Sequence, residues 1–189
     1  MNIKLILIIG FTYAYAFFEL LMGLKRKRRN KTQSHSDRWS IWVMGIMISI
    51  GYSLAFAIGS TKIGRIYPWN TFFTIGILMI AFGLYIRIRS LLTLKQYFSY
   101  TVQKVEGHQL IESGIYQYIR HPGYLGQIIL FVGLAISLSN WLAALSMFIS
   151  VFIGYSYRIQ VEEKFMIEQF GEKYIQYKKR TKRLIPFLY

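Results

Sequence analysis

The chain has 189 residues, of which 54% are hydrophobic and 16% charged, with a formal net charge of +15 and no cysteine. Disulfides, thiolate metal sites and a cysteine nucleophile are excluded at once. The basic residues lie between and after apolar runs of about 20 residues, as cytosolic loops of a membrane protein require, so no nucleic-acid partner is expected from the charge.

The first apolar run, Ile3 to Leu24, ends in the basic stretch Lys25 to Lys31. That charge places the N-terminus outside and the end of the run in the cytosol. Ala14, Tyr15 and Ala16 resemble a cleavage site, but the apolar stretch continues past them and the strong charge is on the wrong side for a signal peptide. Glu19 lies near enough to the cytosolic end to snorkel. A second span is expected over about 39–60, with Gly45, Gly51 and Gly59 as helix-packing contacts. The connection from Thr61 to Asn70 carries only Lys62 and Arg65, which suits the outer face. A third span over about 70–92 comes back in, and its Arg87 and Arg89 read as interfacial anchors.

Leu94 to His121 is the longest polar stretch. Thr101 to Val105 and Gln109 to Ile111 read as short extended pieces around a turn at Glu106 and Gly107, capping the cytosolic helix ends. His35 and His108 read as surface residues. Two further spans, about 122–138 and 141–157, are joined by Ser139 and Asn140 and must form an antiparallel hairpin. The second continues out through Glu163, which puts Arg158 and Glu162 on one face, four residues apart. Phe165 to Arg183 alternates aromatic and basic residues like a helix on the anionic cytosolic leaflet, broken at Gly171, and is followed by the apolar tail Leu184 to Phe187.

Ser113 to Gly126 joins the polar stretch to the hairpin. Pro122 suits the first turn of a helix and pushes the residue before it toward an extended conformation, so His121 should cap a helix starting at Pro122. The first amides of such a helix form an anion site, with Arg120 and His121 beside it. Gly123 and Gly126 leave room at the backbone, and Tyr116, Tyr118 and Tyr124 bring aromatic faces to the same point. A ligand site is expected there.

Gly114, Tyr116, Arg120, His121, Pro122, Tyr124 and Gly126, followed by Arg158, Glu162, Glu163, Phe170, Gly171, Tyr174 and Pro186, resemble in identity and order the isoprenylcysteine carboxyl methyltransferase family. The resemblance covers about the last half of the chain. It implies an all-α integral membrane protein of residues 1–189, a single membrane domain with five transmembrane helices. The last two would be a helical hairpin, and the cytosolic segments 93–121 and 158–189 would form a small cofactor-binding region. The C-terminus and active site would be cytosolic.

The resemblance further implies S-adenosyl-L-methionine as cofactor, held by Tyr116, Arg120, His121, Pro122, Tyr124, Gly126 and Glu163. A lipophilic or prenylated acceptor would enter from the bilayer, with membrane lipids as the other partners. Arg158 would hold the acceptor carboxylate and Glu162 would orient Arg158, giving a methyl ester without a metal. No glycine-rich fingerprint follows a strand, so a Rossmann-type cofactor site is not expected. Two alternatives remain open at this stage. One is a phospholipid or small-amine N-methyltransferase, in which Glu162 or Glu163 serves an ammonium group. The other is a non-catalytic or reductase-like membrane protein with a similar cytosolic pocket.

Overall fold

The computed structural model of the chain describes residues 3–29, 39–95 and 109–185. Its elements are the helices α1 (Ile3–Arg29), α2 (Trp39–Gly59), α3 (Trp69–Leu94), α4 (Pro122–Ser137), α5 (Trp141–Phe170) and α6 (Glu172–Arg180), with a 3₁₀ turn over Gly114–Gln117 ahead of α4. No strand forms among the described residues, and Gln109 to Ile111, expected as a short extended piece, belongs to no regular element; isolated bridges join Arg65 to Asn140 and Ile119 to Lys182. The expectations for Thr101 to Val105, Glu106, Gly107, His35, His108 and Pro186 fall outside the described residues.

Four helices are long and apolar enough to cross a bilayer among the described residues: Ile3–Met22, Trp39–Gly59, Trp69–Leu94 and Trp141–Phe170. α4 is shorter, with 16 residues, or about 24 Å at the helical rise. It lies inside the bundle, and most of its side chains are buried.

Glycine sets how closely α4 is approached. α3 and α4 run antiparallel, with Gly76 opposite Gly133 and Gly83 opposite Gly126. A Cβ on Gly76 would stand 2.5 Å from the Gly133 carbonyl oxygen, and one on Gly83 would stand 2.4 Å from that of Gly126. Two glycine pairs one heptad apart thus bring the two backbones into contact. In lipid, where apolar burial between helices gains little, such close packing is what holds helices together. α2 lies antiparallel against α5, where Gly51 faces Met147 and Ser150 while Gly154 faces Met47. Gly59 packs on Leu138, but Gly45 meets nothing within 4 Å and is not the packing contact expected.

α1 joins this bundle through polar groups as well as packing. Arg87 of α3 donates from Nε and Nη2 to the two carboxylate oxygens of Glu19, both at 3.0 Å. The Tyr15 hydroxyl donates to Glu19 at 2.7 Å, and the Gln127 amide donates to the Tyr15 oxygen at 3.0 Å. Arg87 is only 3% exposed, so it is neither the interfacial anchor expected nor matched by a snorkelling Glu19. Each charge inside a span is relieved by the other and by hydrogen bonds, which removes the drive toward water. Arg89, two residues on, is exposed as an anchor should be.

At the opposite end of the bundle Asn140 is fully buried. Its side chain caps α5 by accepting from the amides of Leu142 and Ala143, at 3.0 and 3.1 Å, and donates to the carbonyls of Ile58 and Ile63. The α4–α5 turn is thereby fastened to the loop between α2 and α3.

Candidate active site

The site residues gather where α1, α3 and α5 end and α2 and α4 begin. The chain reaches α4 through the 3₁₀ turn, then runs beside the segment after α6. The amides of Arg120 and His121 donate to the carbonyls of Lys182 and Arg183, at 2.8 and 3.0 Å. His121 has φ −126° and ψ 55° and occupies the N-cap position ahead of Pro122, as expected, but its side chain makes no capping bond. The amides of Tyr124 and Leu125 both donate to the His121 carbonyl. Because Pro122 has no N–H, the helix start has less of an amide cradle than its sequence suggested.

What the turn presents instead is a set of side chains facing α5. Arg120 Nε donates to Glu163 Oε1 at 2.8 Å, and its Nη1 donates to the carbonyls of Thr181 and Lys178. His121 sits between the two acids, with Nδ1 3.6 Å from Glu162 and Nε2 3.5 Å from Glu163. The second contact is within ion-pair range but at the long limit for a hydrogen bond, and Nε2 is buried without a bond of good hydrogen-bonding geometry. Lys178 and Arg183 add contacts to Glu163 at 3.4 and 3.1 Å. Burial alone would raise the Glu163 carboxyl, but His121 and Arg120 outweigh it and hold the group well below the usual carboxylate range.

Glu162 faces the other way along α5. It accepts from Arg158 Nε at 2.9 Å and from the Tyr124 hydroxyl, and Arg158 Nη1 donates to Ser40 in the first turn of α2. Arg158 is 1% exposed and Glu162 is 22% exposed. The His121 ring lies nearly parallel to Tyr124, with centroids 5.8 Å apart, and Tyr124 stacks on Tyr155 at 5.0 Å.

Of the residues expected to form the site, Arg120, His121, Tyr124, Arg158, Glu162 and Glu163 are thus brought together. Tyr116 is tied elsewhere: its hydroxyl is 2.7 Å from Ser90 Oγ and its carbonyl accepts from the Tyr177 hydroxyl. Pro122 is fully buried, and the backbone face of Gly126 is taken by Gly83 of α3. Tyr118 is 59% exposed and does not contribute an aromatic face to the cluster. α6 also differs from expectation. Tyr174 and Tyr177 are buried against the protein, so its aromatic side covers the site region and only its remaining faces are left for a leaflet. Gly171, with φ +55°, separates α5 from α6 as its residue type suggested.

Sequence reasoning did not find Ser40, Thr181, Lys178, Arg183 or Tyr155. Tyr155 was within reach, because it shares a helical face with Arg158 and Glu162 at three- and seven-residue spacings. Ser40 carries no local signal and is placed only by the packing of α2 on α5.

A bundle of apolar helices with an ionic and aromatic cluster at one end defines a helical integral membrane protein with a polar site at its boundary. Residues 75–168 match the model of the isoprenylcysteine carboxyl methyltransferase (ICMT) family, to which this part of the chain is similar. Among its relatives is the protein-S-isoprenylcysteine O-methyltransferase of Xenopus laevis, 35% identical over 116 residues, covering 60% of this chain and 40% of that protein. The human protein of the same name is 35% identical over 115 residues, with the same coverage. That of Schizosaccharomyces pombe is 28% identical over 158 residues, covering 79% and 67%. A solved structure described as the eukaryotic intramembrane Ras methyltransferase ICMT superposes with a TM-score of 0.60 at 25% identity, covering 83% of this chain and 55% of that one. The chain therefore spans about two fifths of the length of the Xenopus and human relatives.

Proposed function

We propose that this protein transfers a methyl group from S-adenosyl-L-methionine to the carboxylate of a lipophilic, isoprenylcysteine-like acceptor, giving a methyl ester. The observation that carries this is Arg158, 1% exposed and oriented by Glu162 and Ser40 where α5 leaves its apolar part. A fixed guanidinium repels an ammonium group but grips a carboxylate with parallel hydrogen bonds.

The residues present fit the cofactor. His121 offers a buried Nε2 without a hydrogen bond, and the stacked rings of His121, Tyr124 and Tyr155 next to the Glu162 carboxylate suit a sulfonium. When bound, the cofactor supplies an activated methyl group on sulfur. In this scheme His121 and Tyr124 contact it, while Arg120 and Glu163 hold the turn against α5 and the C-terminal segment. A carboxylic acid with an unperturbed pKa of about 3.5 is already ionised near neutral pH, so no side chain has to remove a proton. The protein's contribution is alignment in a dry site, which can supply on the order of 7 kcal/mol or more. Five spans, an outer N-terminus and a cytosolic site complete the proposal, with α4 as the short central span.

The experiment is transfer of a labelled methyl group to a prenylated cysteine analogue and to membrane lipids, followed by mild base. Label released as volatile methanol from the prenylcysteine product is the expected result. Base-stable label confined to phospholipid would overturn it and assign Glu162 to an amine acceptor.

A further inference from the structure

Two side chains of α3 meet the chain on both sides of His121. Ahead of it, the hydroxyl of Tyr116 in the 3₁₀ turn lies 2.7 Å from Ser90 Oγ. Just after it, Gly123 in the first turn of α4 packs over the same stretch of α3, where a Cβ would stand 2.9 Å from Arg87 Nη1 and 2.9 Å from Ser90 Oγ. Arg87 and Ser90 are three residues apart and share that face of the helix. The Pro122 turn therefore rests on a guanidinium, and only glycine lets it come so near.

The guanidinium is held in turn from α1. Its Nε and Nη2 donate to the two oxygens of Glu19, while Nη1 is the atom at Gly123. Glu19 Oε1 also accepts from the Tyr15 hydroxyl on its own helix and, at 3.3 Å, from the amide of Gln127, one turn after Gly123 in α4. One carboxylate thus joins α1, α3 and α4 just inside the Pro122 turn. Cohesion does not call for these charges, because apolar side chains of similar volume hold buried surfaces together as well as an ion pair or better. What a two-pronged arginine–carboxylate bond adds is a fixed guanidinium plane, which apolar packing does not define. On the assignment above of S-adenosyl-L-methionine to the His121 side of the site, on which this rests, we infer that Arg87 is a positioning residue for the cofactor. Locked by Glu19, it sets the seat of Gly123 and through it the placement of His121. α1, which contributes no side chain to the cluster around His121, thereby governs how well the cofactor half of the site is formed.

The test uses the full chain in detergent, with titration of S-adenosylmethionine, the KM for N-acetyl-S-farnesylcysteine and the melting temperature as separate readouts. Arg87→Lys keeps a cation opposite Glu19 but loses the fixed plane, and Gly123→Ala leaves the ion pair in place but lifts the turn off it. Both are expected to weaken S-adenosylmethionine binding roughly tenfold, as a misplaced contact to a charged ligand implies, with much smaller changes in acceptor KM. Arg89→Lys, two residues on and exposed, should change neither. Unchanged cofactor affinity in Arg87→Lys and Gly123→Ala would overturn the inference. So would losses shared equally by cofactor affinity, acceptor KM and melting temperature, which mark a merely structural tie. Should Arg87→Lys fail to fold, Gly123→Ala decides by the same readouts. If the unmodified protein binds no S-adenosylmethionine, the methyltransferase assignment itself fails.

Discussion

At the scale of single residues, the two acids of α5 are set apart by their neighbours. Glu163 is surrounded by Arg120, His121, Lys178 and Arg183, so its charge is already matched. Glu162 has Arg158 and the Tyr124 hydroxyl and stays partly open. Glu163→Gln removes the shared counterion of that basic group and is expected to cost about 3 kcal/mol, the low end for breaking a buried pair because Lys178 and Arg183 reach water. The pH dependence follows from the lowered folded-state carboxyl. Its stabilisation is complete above the ordinary carboxylate pKa of about 4.3 and is lost as pH falls from there toward the lower folded value. Thermal melts should therefore show the unmodified protein losing stability in acid over a range where Glu163→Gln is flatter, and parallel curves would refute it. His121→Ala and Arg158→Lys separate the two halves of the proposed site. The first should weaken S-adenosylmethionine binding by roughly tenfold or more, as loss of contacts to a charged ligand implies. The second should leave cofactor affinity nearly unchanged and lower turnover about a hundredfold, since an ammonium cannot reproduce the two-pronged grip. Calorimetric titration of both variants decides, and equal loss of affinity would show that the division is wrong.

At the scale of elements, the glycine seam between α3 and α4 sets where the active-site turn sits. Gly83 and Gly126 touch through their backbones, and half a turn to one turn earlier in α4 a Cβ on Gly123 would lie 2.9 Å from Arg87 Nη1. A methyl group at Gly83 would have to displace the Gly126 carbonyl and, with it, the Pro122 turn that carries His121. Gly83→Ala is thus expected to destabilise the bundle by about 1–3 kcal/mol and to lower methyl transfer, whereas Gly45→Ala, facing open space, should do neither. Melting temperature and activity of the two variants, measured side by side, check this. If Gly83→Ala behaved like Gly45→Ala, the seam would not be the element that positions the site.

At the scale of the whole molecule, the polar cluster lies at one end of the bundle, and the Asn140 tie lies at the other. The seven basic residues from Lys25 to Arg38 and the eight from Arg158 onward contrast with Lys62 and Arg65 in the loop at the Asn140 end. The proposed orientation puts that loop outside. A cysteine introduced next to Gly64 in this cysteine-free chain should react with an impermeant reagent applied to the outer face. Reaction only from the cytosolic side would invert the proposed topology and place the site outside.

The sequence alone was sufficient for the features that depend on local chemistry. The long apolar helices, the α4 start at Pro122, the hairpin at Ser139 and Asn140, the continuation of α5 past Arg158 and the break at Gly171 follow from hydropathy, fixed φ and helix periodicity. So does the pairing of Arg158 with Glu162, because residues four apart on a helix must meet. The tertiary structure decided what depends on residues distant in the chain. Glu19 and Arg87 read separately as boundary residues, since nothing in either span reveals that the other stands opposite. Gly126 looked like space for a ligand until α3 was seen against it. Tyr155 shares a helical face with Arg158 and Glu162 in the sequence, but only packing stacks its ring on Tyr124 of α4.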